Sequence, residues 1–390
     1  MMRSSAPLIP AEANKPMTVL QMLPELEGGG VERGTLEVAR YLVSLGHRSL
    51  VISGGGRLVR QLEEEGSIHI RMDTGKKSPA SLKYIIPLRR LMQREQVDIL
   101  HLRSRMPAWI GYLAWKSLPE VQRPVLMTTF HGFYSVNAYS AIMTRGQAII
   151  AVSKAVQNHI AERYGRTDNV ITIPRGVDSD TFTPEKVSVE QLGAMRDKWG
   201  LEGNSVCIML PGRMTRWKGQ EVFLKSLALV KNDNYQAILV GDPDENRSYA
   251  DELEAMIDKN NLRGKVKMVG HCQDMATAYL LSDIVISASS SQAEAFGRVS
   301  IEAMAMEKPV IATAHGGSLE TVVDGETGWL VKPGDPVDMA KAIETALSLS
   351  PEERSAIGKR GYQRVKRHFT TEAMCSATIA LYTKMLRDKV

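Results

Sequence analysis

The chain of 390 residues is predicted to fold as an α/β protein of two doubly wound, parallel-sheet domains. Its length exceeds what one hydrophobic core ordinarily serves. Apolar runs of strand length alternate with helical patterns, first over about 17–175 and again from about 205 onward, and this βα rhythm implies parallel sheets with helices on both faces. The composition agrees: 43% of residues are apolar, with 31 Gly and 17 Pro, as in ordinary α/β proteins.

Residues 1–16 read as a disordered tail. MTVLQMLP (17–24) is the first strand, and a helical pattern runs from Glu32 to Leu45 and stops at Gly46. SLVIS (49–53) is the next strand. Gly28, Gly30 and Gly34 nearly spell a dinucleotide fingerprint, but the glycines follow a loop and not the strand end. The second strand also closes on Ser53, where an acidic residue would bind a ribose. A helix is expected around 80–96, then strands at 97–103, 124–132, 148–153 and 170–174. Residues 184–203, rich in charge, read as the linker. The second half opens on VCIMLPGRMTRWKG, and YQAILVGD, KVKMVG, DIVISAS, PVIAT and GWLV follow as strands. The closing helices, from about Pro351 to Val390, read as long and polar on one face.

The centre of the second half is SASSSQAEAFGRVSIEAMAMEKPVIA (287–312). A strand ends in a polar loop holding Glu294, and a helix opens near Phe296-Gly297 with Glu302 in its second turn. The first-turn N–H groups of Arg298, Val299 and Ser300 carry the positive end of the helix dipole and make a phosphate site. The acidic groups beside it can hold sugar hydroxyls. Arg213 and Lys218, in the strand-to-helix loop PGRMTRWKG, can neutralise a diphosphate leaving group. His131 ends a strand of the first half, where open α/β sheets bind ligands. Two Asp-x-Asp triplets, at 178–180 and 242–244, read as caps and turns, so no metal site is expected.

GR-x4-KG followed by E-x7-E resembles the retaining glycosyltransferases of family 4, and the resemblance covers nearly the whole chain. It implies the GT-B fold: two Rossmann-like domains, 17–190 and 200–371, facing each other across a cleft, with the last helix (372–390) crossing back to the first domain. It implies transfer from a UDP- or GDP-activated sugar without a metal or other cofactor. Arg213 and Lys218 would hold the diphosphate, Glu294 the transferred sugar, and Glu302 the nucleotide ribose. Gly270 and His271 would frame the base, while Gly29 and Gly30 would approach the donor phosphates. His131 would contact the donor sugar and stabilise the transition state through its carbonyl. Phe296, Gly297, Arg298 and Val299 complete the donor site. Arg175 stands where the family has Asn in its "NGVD" element, which leaves the role of that position open.

LPELEGGGVERGTLEVAR and HLRSRMPAW are similar to bacterial transferases of the lipopolysaccharide core, which implies a glycan or lipid-linked acceptor. Two alternatives remain: a nucleotide-sugar 2-epimerase on the same fold, and a non-catalytic nucleotide-sugar-binding module. Residues 1–175 hold 23 Lys/Arg against 14 Asp/Glu, whereas residues 176–390 hold 26 against 30. A basic first half suits an anionic acceptor or an anionic membrane surface, and no nucleic-acid motif accompanies it. Lys83, Arg89, Arg90 and Arg94 beside Tyr84, Ile85, Ile86, Leu88 and Leu91 are expected to edge an apolar stripe facing that membrane. Three isolated cysteines and an N-terminus without an apolar h-region lead to a cytoplasmic expectation, on the inner face of the membrane.

Overall fold

The computed structural model describes residues 16–203 and 205–389, so most of the expected N-terminal tail lies outside the described residues. The first elements are β1 (Thr18–Met22), α1 (Gly30–Ser44), β2 (Arg48–Ser53), α2 (Val59–Glu64), β3 (Ile68–Arg71) and α3 (Ile85–Arg94). Then come β4 (Ile99–Leu102), α4 (Arg105–Lys116), β5 (Val125–Phe130), β6 (Ala148–Ala151), α5 (Lys154–Tyr164) and β7 (Val170–Thr172). These strands form a parallel sheet in the order β3-β2-β1-β4-β5-β6-β7.

The second series runs α6 (Val189–Lys198), β8 (Val206–Pro211), α7 (Gln220–Leu227), β9 (Tyr235–Val240), α8 (Arg247–Lys259), β10 (Val266–Met268) and α9 (Met275–Leu281). It continues with β11 (Ile284–Ser287), α10 (Arg298–Ala305), β12 (Val310–Thr313), α11 (Ser318–Thr321) and β13 (Gly328–Val331). Three helices close it: α12 (Pro336–Ser348), α13 (Pro351–His368) and α14 (Thr371–Arg387). Its parallel sheet has the order β10-β9-β8-β11-β12-β13. Every residue of β4, β5, β8 and β11 is buried. Continuous apolar strands of this kind are what a sheet covered on both faces requires.

The chain packs as two compact units. One comprises the chain up to Thr129 with Ala138–Ala148 and Ile379–Val390; the other comprises Phe130–Asn137 and Ile149–Thr378. Inside the first unit, His101 on β4 bonds the Tyr382 hydroxyl of α14 and the Thr129 hydroxyl, both at 2.6 Å. The final turns of α14 are thereby tied to the centre of β4 by a buried polar network, where every satisfied bond favours one arrangement.

Three local expectations are corrected. Residues 184–203, read as the linker, lie inside the second unit and contain α6, whose Ser188 forms a capping box with Gln191, and Trp199 just beyond it is buried. The helix expected over 80–96 divides into a 3-10 turn, Pro79–Tyr84, and α3, so Pro87 falls in the first turn of a helix, where its missing N–H costs nothing. Strand β3 was not anticipated: its IHIR sequence is short and half-exposed, as suits a sheet edge. Cys207, Cys272 and Cys375 are free thiols, and burial pushes that of Cys207 up to about 12.

Candidate donor site at the switch point of the second sheet

In the second sheet the strand order reverses between β8 and β11. β8 connects outward to β9, and β11 connects the other way to β12. The crevice beyond the carboxyl ends of two such strands is where open α/β sheets bind ligands. The loop after β8 is Gly212–Gly219, with Arg213 and Lys218; the loop after β11 is Ala288–Gly297, with Glu294.

These loops are joined backbone to backbone. Ser290 N donates to the Trp217 carbonyl at 2.8 Å. Gly219 has φ +77, and a Cβ there would lie 1.9 Å from the Ala288 carbonyl oxygen. Only glycine serves, both for the left-handed backbone and for the close approach. The consequence is chemical: Lys218, the residue before that glycine, forms an ion pair with the Glu294 carboxylate, both side chains being largely buried. Ser289 Oγ donates to the same carboxylate at 2.8 Å, and the Lys218 ammonium lies 4.3 Å from the Trp217 ring centroid. Arg213, in the same loop, is exposed, and among the described residues no ion pair holds its guanidinium.

Glu302 lies in the second turn of α10 and is 9% exposed. Its carboxylate accepts from the Tyr279 hydroxyl at 3.0 Å and from Arg298 Nε at 3.3 Å. Arg298 is therefore turned along its own helix toward Glu302. Helix α10 starts after Gly297 with no side-chain cap. Ser300 N already donates to the Gly297 carbonyl at 3.1 Å, so of the three N–H groups read as open, that of Ser300 is in use. Around these loops Thr215 Oγ1, Ser300 Oγ, Ser318 Oγ and His315 Nε2 are buried with no hydrogen-bond partner among the described residues. Buried polar atoms are rarely left so, and four beside one crevice mark a place built for polar partners. Gly270 follows β10, and its carbonyl accepts from Gly241 N at 3.0 Å; His271 beside it is exposed. Asp178 and Asp242 accept from the backbone N–H groups of Asp180 and Asp244, each at 2.9 Å, so both acidic triplets cap turns.

His131 follows β5, and Arg175 donates from its guanidinium to the ring's Nδ1. A guanidinium has no acceptor, so Nδ1 must accept, and the proton of the neutral ring lies on Nε2. Arg175 is 7% exposed. Two residues on, Val177 N donates to the Phe369 carbonyl at 2.9 Å, and the Phe369 ring packs edge-on against Phe296 at 5.6 Å. A short run of contacts thus leads from His131 to the Glu294 loop. In the first unit, Gly29 and Gly30 open α1 at that sheet's own reversal, between β1 and β4. Two features escaped the reading of the sequence, the Arg175–His131 bond and the buried, unpartnered Nε2 of His315, because each depends on contacts between distant segments.

Residues 28–181 match the family described as Glycosyltransferase Family 4, and residues 193–364 match Glycosyl transferases group 1. The chain is 25% identical over 350 residues to the capsular polysaccharide biosynthesis glycosyltransferase CapM of Staphylococcus aureus, covering 87% of this chain and 90% of CapM. Among solved structures it is similar to a glycosyltransferase from Rickettsia africae, with 36% identity, a TM-score of 0.88, and 95% and 99% of the two chains covered. Anabaena Alr3699/HepE, solved in complex with UDP-glucose, matches at 22% identity and a TM-score of 0.82 over 94% and 100% of the two chains. The two sheets are accordingly the two Rossmann-like halves of a GT-B fold, and the chain belongs to glycosyltransferase family 4.

Proposed function

We propose that the chain transfers a sugar, with retention of anomeric configuration, from a UDP- or GDP-activated donor to a glycan or glycolipid acceptor. An anionic acceptor would fit synthesis of lipopolysaccharide core or another cell-surface polysaccharide. The observation that carries this reading is the Lys218–Glu294 pair, held at the switch point of the second sheet with Arg213 in the same loop. CapM, by its name, serves capsular polysaccharide synthesis, and HepE was solved with UDP-glucose, which supports the class of acceptor and of donor.

In this reading Lys218 and Arg213 take the donor's diphosphate, and Gly29 and Gly30 of the first unit are proposed to approach its phosphates. Glu294 receives hydroxyls of the transferred sugar and Glu302 those of the ribose, with Gly270 and His271 at the base. Phe296, Gly297, Arg298 and Val299 line the start of α10 beside them. The bond from the anomeric carbon to the diphosphate breaks, and the acceptor oxygen bonds that carbon on the same face. The acceptor's proton passes to the leaving phosphate oxygen, so no protein nucleophile is needed. The protein contributes positioning and preorganised charge. His131, presenting Nε2–H, meets the donor sugar, while the two cations perform the neutralisation that a divalent metal supplies in other transferases.

A panel of UDP- and GDP-sugars tests the reading. One of them is expected to raise the melting temperature, and free nucleotide is expected only once a glycan or glycolipid acceptor is added. Release of nucleotide, or interconversion of the sugar, without any acceptor contradicts transfer and favours the epimerase.

Among the described residues no helix is long and apolar enough to cross a membrane. Contact with an anionic membrane surface is proposed through the 82–90 segment. Leu88 and Leu91, expected in the apolar stripe, are core residues at 0% and 5% exposure, whereas Leu82 and Ile86 are 51% and 61% exposed beside Lys83 and Arg90. Arg94 is paired with Glu95 at 2.7 Å. Each free cation near the surface adds about 1 kcal/mol, weakened by salt. Co-sedimentation with anionic liposomes is expected at low salt and is lost in a Lys83→Glu, Arg90→Glu variant. Binding indifferent to lipid charge and to both substitutions rejects this patch.

A further inference from the structure

The loop after β12 carries a histidine that none of the roles above uses. His315 precedes Gly316 and Gly317, and this turn lies directly on the Glu294 loop. A Cβ on Gly316, whose φ is +57, would sit 2.3 Å from the Glu294 carbonyl oxygen, and one on Gly317 would sit 2.3 Å from Phe296 Cα. Gly317 N donates to that same Glu294 carbonyl at 2.8 Å. The His315 ring meets the Ser289 backbone and the field of the Glu294 carboxylate, and its Nε2 is buried without a partner. Ser289 links the two groups, since its hydroxyl also bonds Glu294 Oε1. The carboxylate is thus bonded to Lys218, and His315 on the adjoining turn lies within the reach of its charge.

Burial holds the His315 ring below the ordinary histidine range, against smaller upward pulls from the Ser289 backbone and from Glu294. The ring is thus neutral near pH 7. While Lys218 sits on Glu294, the carboxylate's charge is largely cancelled. A diphosphate entering the crevice competes for the same ammonium and leaves that charge uncancelled beside a buried imidazole.

We propose that His315 is the positioning partner Glu294 takes when the donor's diphosphate draws Lys218 away, the ring gaining one proton from solvent at Nε2. The carboxylate then stays in place for the sugar hydroxyls instead of following the lysine. This inference rests on the nucleotide-sugar reading of the site. Glu294, with Lys218 bonded to it, is the charged group that acts on the ring among the described residues. The sign follows from linkage. The ring's value lies below 6.5 before binding and rises on binding, so binding takes up a proton between the two values. Donor affinity therefore increases as pH falls through that window.

Calorimetric titration with UDP and GDP near neutral pH, in buffers of different ionisation enthalpy, counts the protons exchanged. Wild type is expected to take up a substantial fraction of one proton more than His315→Gln. The glutamine amide can still donate to the carboxylate, so His315→Gln should keep most of kcat. His315→Leu cannot, and should lose about tenfold or more in kcat with little change in KM, the loss of one hydrogen bond to a charged group. Equal melting temperatures establish that the variants fold. Equal proton counts in wild type and His315→Gln overturn the inference, as does full activity in His315→Leu. If neither nucleotide binds wild type, the nucleotide-sugar reading itself falls and takes this inference with it; binding without proton uptake refutes this inference alone.

Discussion

Replacing Lys218 by alanine is expected to lower kcat by about 100-fold or more, because in the proposed reaction the ammonium would oppose charge developing on the leaving diphosphate, from a largely buried position. That factor corresponds to about 2.7 kcal/mol of transition-state stabilisation. The geometry makes the lysine hard to replace. Gly219 seats the loop on the Ala288 carbonyl, the Trp217 ring lies under the ammonium, and Glu294 fixes its direction. Lys218→Arg should restore little, since a planar guanidinium fork does not fit the seat of a compact ammonium. Arg213, exposed and in the same loop, should give a smaller loss, expressed partly in KM. In the same assay EDTA should leave wild type active. Activity abolished by EDTA and restored by Mg²⁺ or Mn²⁺ would contradict the assignment of charge neutralisation to the two cations.

Much of this site was legible in the sequence because its parts are local. The strand, polar loop and helix around Glu294 and Glu302 announce themselves by an apolar run, a glycine and a helical period, and α10 begins one residue after Gly297 as expected. The basic loop before α7 is equally local. What could not be read were consequences of folding at a distance. Nothing in PGRMTRWKG says that Lys218 meets Glu294; the order of strands does, by placing the ends of β8 and β11 side by side. Arg175 stood out only as a departure from a pattern, and its bond to His131 is visible only in the fold. His315 carries no local signal, because a histidine before two glycines looks like any turn. In the basic 82–91 segment, charge and period together overstated the exposed stripe, since Leu88 and Leu91 pack inward like the apolar face of any helix on a covered sheet. Charge also misled at 184–203, where a capping box and Trp199 outweigh the polar composition of α6.

The two glutamates should separate binding of the nucleotide from handling of the sugar. Glu302 is 9% exposed and held by Tyr279 and Arg298, a fixed acceptor suited to a ribose. Glu294 lies across the loop junction with Lys218, where the transferred sugar would begin. Glu302→Ala is therefore expected to weaken the bare nucleotide by about 1.5–3 kcal/mol, the range for a hydrogen bond to a charged group. Glu294→Ala should not weaken the nucleotide, since it only removes the carboxylate that competes with the diphosphate for Lys218, and should reduce transfer by about 100-fold, since its contacts with the sugar are made only when the sugar is in place. Titration calorimetry of UDP and GDP with wild type and both variants measures this directly. The division of roles predicts a large loss of nucleotide affinity in Glu302→Ala alone; equal losses in the two variants, or none in either, would contradict it.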